Sequence, residues 1–117
     1  MKHTWLCTDN DCCQYMMETD ERWEMIELIW LDITNKDRKK GLHEYIVVHG
    51  WVYKNDISEE DTEFACSTYG YDRESIDEQI LAECILEESL LSDEYVIYET
   101  DSRKNAEKFI KNYIQRR

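Results

Sequence analysis

The spacing of apolar residues changes from segment to segment along the chain, and each spacing predicts an element. In residues 23–34, WEMIELIWLDIT, apolar side chains occupy both alternating faces, the pattern of a central strand. A buried helix segment gives the same run, but the Trp, Ile and Thr of its second half favour the strand. A second run, EYIVVHGWVYKN at 44–55, is the clearest strand in the chain, and Gly50 inside it marks a bulge or a close backbone approach. The polar, basic NKDRKKGLH between them reads as a hairpin loop. After the acidic loop NDISEED, TEFACSTYGY reads as a third strand, although SEED also fits a helix start with Ser58 as its cap.

From Asp72 the period lengthens, predicting a helix capped by Asp72 and running to about Leu91. Ile76, Ile80 and Cys84 fall on one stripe, flanked by Leu81 and Ile85, with Leu86 on the far side. The middle of this helix must therefore be buried against the sheet and against a further element such as the final helix. EYVIYET, 94–100, is a short strand. Ser102 caps an amphipathic helix, RKNAEKFIKNYIQRR, whose bases gather at the C-terminal end, where the helix dipole favours them. Towards the N-terminus TWLC reads as a short edge strand and DNDCCQYMMETDERW as a helical turn or two behind an Asp or Asn cap. The layout is α+β: a single domain, 1–117, with a small antiparallel sheet of three to four strands packed against two helices.

With 117 residues, 42% of them hydrophobic, the chain has enough apolar material to close one core without a metal or disulfides. No Pro and only three Gly leave nothing that marks an interdomain linker. No apolar run approaches the roughly 20 residues of a membrane span, and MKHTWLCTDND lacks a signal-peptide core, so no membrane association and a cytoplasmic location are expected. Five cysteines, an odd number with Cys12 and Cys13 adjacent, read as reduced thiols, with Cys66 and Cys84 as small core residues.

Charge is distributed unevenly. Residues 56–94 hold fourteen acids and one base, Arg73, whereas the rest of the chain holds thirteen of each, so the net charge of −13 is regional. Such a field disfavours direct binding to nucleic acid and draws positively charged partners. Asp72, Glu74, Asp77 and Glu78 are explained by the start of the predicted helix, each contributing roughly 0.3–1 kcal/mol near the dipole's positive end. Glu87, Glu88, Asp93 and Glu94 are not, because at the other end the same dipole opposes them. The seven acids of 72–88 would follow one another along a single helix at about the axial spacing of phosphates on one DNA strand. With Glu59, Glu60, Asp61 and Glu63 of the loop, the second set forms the candidate partner-binding surface. Tyr69 and Tyr71, around Gly70, add the composition of a protein-binding hot spot. Trp23, Trp30, Trp51, Tyr45 and Tyr53 belong to strands and read as core or sheet face.

His3, Cys7, Cys12 and Cys13 are the one cluster of metal-ligand types, and they lack the second pair that a zinc knuckle needs. His43 and His49 flank a predicted strand without a nucleophile elbow or Gly-rich loop, so no enzyme and no cofactor are expected.

EYVIYETDSRKNAEKFIKNY, 94–113, resembles a strand-to-helix stretch of a small prophage anti-CRISPR protein that inhibits a type II RNA-guided nuclease. The similar positions are EYVI at 94–97, Glu99, an acid at 101, EKFI at 107–110 and an aromatic at 113. The resemblance implies a phage-encoded acidic inhibitor, acting in the host cytoplasm, that covers the positively charged DNA-binding surface of a CRISPR effector nuclease. It covers 20 of 117 residues and lends no binding residue, because that family's target-contacting acids lie outside the matched stretch. Alternatives are a non-catalytic accessory module, a homodimer through strand edges or a Trp face, and a small zinc-stabilised domain.

Overall fold

The run that is apolar on both faces becomes the central strand of a five-stranded antiparallel sheet. The computed structural model describes residues 2–8, 12–89 and 93–116. The strands are β1 (Lys2–Thr8), β2 (Cys12–Glu18), β3 (Arg22–Trp30), β4 (Tyr45–Tyr53) and β5 (Val96–Thr100), and their order in space is their order in sequence. A short helix, α1 (Asn35–Lys39), lies in the β3–β4 connection. Two more, α2 (Glu59–Tyr69) and α3 (Glu78–Ser89), come between β4 and β5, and α4 (Arg103–Gln115) closes the chain.

Because β2, β3 and β4 carry apolar side chains on both faces, the sheet is covered on both. On one side Tyr15, Met17, Ile26, Leu28 and Val47 are buried beneath Ala106 and Ile110 of α4. On the other, Met16, Trp23, Met25 and Val48 are buried beneath Ala82 and Leu86 of α3. Each fully buried side chain of this size contributes about 1.5–3 kcal/mol of transfer free energy. The expected α+β architecture is therefore present, with a larger sheet and more helices than the pattern foretold.

Several expected elements change. Residues 12–18 form a strand rather than helical turns: Tyr15 and Met17 point to one apolar layer and Met16 to the other, a period of two. TEFACSTYGY is not a strand but most of α2. The Ser58 backbone N–H donates to the Asp61 carboxylate at 2.7 Å, completing a capping box, and Gly70 ends the helix with φ +75°. Local capping outweighs the β propensity of Thr, Phe and Tyr here.

Asp72 does not start the long helix. It closes a separate turn, accepting the backbone N–H of Glu74 at 3.1 Å, and the cap of α3 is Asp77, whose carboxylate accepts from Ile80 N–H at 2.9 Å. Dipole compensation thus accounts for Asp77 and Glu78, not for Asp72 and Glu74. Leu86, expected on the far side of the stripe, is the residue α3 buries most deeply in the sheet, together with Ala82. The helix's second neighbour is α2, since α4 lies across the sheet. Gly50 pairs with Met25 in an unbroken β3–β4 register, and the irregularity of β4 falls between Val47 and Val48 in its ladder with β5. His49 does not flank β4 but lies within it.

Candidate functional site

The regional charge of the sequence becomes a difference between layers. Residues 59–89, on one side of the sheet, hold eleven acids and one base, while α4 on the other side holds four bases and one acid. Lys104, Lys108 and Lys111 are exposed along α4.

On the acidic side, recasting TEFACSTYGY as a helix and a turn puts Phe64 next to the tyrosines that follow. The Phe64 and Tyr69 rings meet edge to face at 6.0 Å, and Tyr69 and Tyr71 lie 6.5 Å apart. All three are exposed, at 42%, 40% and 41%, so a row of three aromatic rings linked through Tyr69 faces water. Edge-to-face pairs contribute roughly 0.5–1.5 kcal/mol beyond burial, which holds the row in place without hiding it.

The row runs into carboxylates. Partial shielding from water raises the Tyr71 hydroxyl pKa, and Cys84 and the carboxylates Glu83 and Glu87 raise it further. Glu83 is raised chiefly by its own partial burial, against a hydrogen bond from Gln79 at 3.1 Å, with Glu87 and Asp77 adding repulsion. Glu27 of β3 is raised for the same first reason, with repulsion from Glu87 opposing the help of a Gln14 hydrogen bond. The Gln14 amide donates to Glu27 at 3.0 Å and to Glu87 at 3.2 Å, one NH2 group joining two like charges. A cation arriving here relieves repulsion that the fold maintains.

The expected partner-binding residues divide among several places. Glu59, Glu60 and Glu63 are exposed on α2, and Glu59 pairs with Arg73. Asp61 is occupied by the capping box. Tyr69, Tyr71 and Glu87 are in the aromatic and acidic group just described. Glu94 sits elsewhere, lining a cavity with His49 and Tyr113. The side chains of Glu88 and Asp93 lie outside the described residues. The phosphate-like line of acids along 72–88 does not form: Asp72 and Glu74 belong to the turn, and Glu78 accepts the Trp23 indole N–H at 2.8 Å.

Sequence reasoning missed Phe64, Glu83 and Glu27. Phe64 was hidden by the strand reading, and the Ser58-x-x-Asp61 signature was the signal that could have corrected it. Glu83 lies inside ILAECIL and Glu27 inside WEMIELIW, where apolar neighbours drew the reading toward core.

The strand aromatics also divide. Trp23 is buried, but Trp30, Trp51 and Tyr53 are exposed. Cys13 packs partly buried against the α4-side core, and the side chains of His3, Cys7 and Cys12 lie outside the described residues. Among the described residues no group of three His, Cys, Asp or Glu is placed to hold a metal ion.

A second polar group lies inside the α4 layer. Glu24 and His49, 1% and 6% exposed, meet through His49 Nε2 and Glu24 Oε1 at 2.8 Å. Arg22 Nε donates to the other Glu24 oxygen at 3.2 Å, and His49 Nδ1 lies 2.8 Å from the Tyr113 hydroxyl. A carboxylate only accepts, so Nε2 carries the proton; in the neutral ring Nδ1 then accepts from Tyr113.

No protein-family model, curated protein sequence or solved structure matches the chain. No helix among the described residues is long and apolar enough to cross a membrane.

Proposed function

We propose that the chain is a non-catalytic inhibitor that binds a basic, nucleic-acid-binding protein through the α2–α3 layer and blocks its DNA or RNA site, in the manner of anti-defence proteins. CRISPR effector nucleases are the first candidates, in the cytoplasm of a host cell. One observation carries this reading: the exposed row Phe64, Tyr69, Tyr71 continues into Glu83 and Glu87. Aromatic anchors supply desolvated contact area, and carboxylates beside them select arginine and lysine over other surfaces. The bases of α4 face away, so approach to a basic groove is oriented as well as attractive. The C-terminal resemblance to an anti-CRISPR stretch points to the same class of target.

The competition is electrostatic and steric, through a patch rather than a phosphate-like line of acids. Purified type II RNA-guided nucleases carrying guide RNA, assayed for target-DNA binding and cleavage with increasing amounts of the chain, test it. Inhibition that weakens with salt supports the reading. Inhibition unchanged by salt and by Glu83→Lys with Glu87→Lys counts against it.

A second reading rests on the strand order, which among the described residues leaves β1 and β5 as edges with a strand partner on one side only. Pairing of edges between two copies would make a homodimer. Sedimentation equilibrium tests this second reading: a reversible dimer supports it, and a monomer at every concentration counts against it.

A further inference from the structure

The α4 side of the sheet holds a cavity of about 420 Å³, lined by His49, Trp51, Glu94, Tyr95, Ile97 and Tyr113. Four of these six side chains carry rings. Trp51 meets His49 at 5.7 Å and 65°, and His49 meets Tyr113 at 5.5 Å and 77°, so the rings stand as walls at steep angles rather than as a stack. Trp51 is 46% exposed and Glu94 is exposed, so the walls and the carboxylate are reachable from solvent.

We propose that this cavity binds an alkylammonium group, as an aromatic box closed by one carboxylate. A ring face attracts a cation through its quadrupole, and several rings at steep angles surround a tetrahedral ammonium better than a flat ligand. Among the described residues of the lining Glu94 is the one carboxylate, and it repels anions. Arg22 already lies over the Trp51 ring at 5.1 Å, so this indole takes part in one cation–π contact within the chain. The Arg22 charge is balanced by Glu24 at 3.2 Å and so does not make the cavity positive. The fixed pairing of His49 with Glu24 and of Tyr113 with His49 holds two walls in place before a ligand arrives. The volume exceeds a bare ammonium head and accommodates several methylenes beside Ile97. The ligand is thus a choline-like small molecule or a lysine side chain, free or methylated, carried by a protein.

The test is a titration of the intact chain, followed by tryptophan fluorescence and calorimetry, with tetramethylammonium, choline, and a short peptide bearing lysine or trimethyl-lysine. A neutral tert-butyl alcohol of matching shape is the control. The ammonium compounds are expected to bind at least about tenfold more tightly than the neutral analogue, and to lose that advantage in Trp51→Ala and Glu94→Gln. Both residues are exposed, and circular dichroism checks that the variants keep the fold. Tighter binding of the peptide than of choline assigns the site to a protein-borne lysine, and the reverse order assigns it to a small ligand. Equal affinity for charged and neutral analogues, or ammonium binding unchanged in both folded variants, overturns the proposal.

Discussion

Glu27 of β3 and Glu87 of α3 are joined through a single amide, the Gln14 side chain lying 3.0 Å from one carboxylate and 3.2 Å from the other. Partial burial raises the Glu27 pKa, the Glu87 charge raises it further, and Gln14 opposes both. A carboxyl whose folded pKa is raised favours the folded state while protonated, and that contribution is lost as pH rises through the folded value. Gln14→Ala removes the opposing hydrogen bond. It should therefore destabilise the fold at neutral pH and less so near pH 4, a range about the ordinary glutamate pKa. Urea unfolding of both proteins across this range measures the difference, and a defect that grows on acidification is inconsistent with the geometry.

Glu83 provides the companion case. Its pKa is raised first by partial burial and then by Glu87 and Asp77. Glu83→Gln should stabilise the chain at neutral pH, with the gain disappearing as the carboxyl protonates in acid. Thermal unfolding at two pH values reads the effect directly.

Ser58 and Asp61 decide that residues 59–69 are helix. Ser58→Ala removes the hydroxyl half of the capping box and should cost about 1 kcal/mol. Gly70→Ala should add a cost of similar size, about 1 kcal/mol, because φ +75° strains a residue with a Cβ. Denaturant midpoints measure both, and loss of helical circular dichroism should accompany the first.

Within the other layer, His49→Ala leaves the buried Glu24 with Arg22 as its remaining partner among the hydrogen bonds described above. Removing one hydrogen-bond donor from a buried carboxylate that keeps its counter-charge costs about 1.5–3 kcal/mol. Replacing Glu24 and His49 together by apolar residues should cost less than His49→Ala alone, and a double-mutant cycle in denaturant detects the difference.

The strands β3 and β4 and the helix α4 were legible because long runs with one dominant period specify one element. Residues 12–18 were not, since CCQYMME is too short for its period to show without β3 beside it. Around Asp72 and Asp77 two cap residues compete within five positions, and the helix that starts at the second is the one that packs Ala82 and Leu86 on the sheet. At the candidate site, Tyr69, Tyr71 and Glu87 were accessible from composition and the dipole argument. Glu27 was not, because a carboxylate in a strand of Ile, Met and Trp becomes part of a surface only when α3 brings Glu87 to it. The His49, Glu24 and Tyr113 group joins residues separated by 25 and 64 positions, a relationship that no local pattern encodes.

The α2–α3 layer is tested most directly by pull-down from a host-cell lysate, using the wild-type chain and a Phe64→Ala, Tyr71→Ala, Glu83→Lys variant as baits. Retained protein is then challenged with duplex DNA and with RNA. The expected result is a basic nucleic-acid-binding protein held by the wild type, released by nucleic acid or by raised salt, and missing from the variant. A partner that binds both baits equally and stays bound in the presence of nucleic acid would contradict a role for this face in blocking a nucleic-acid site.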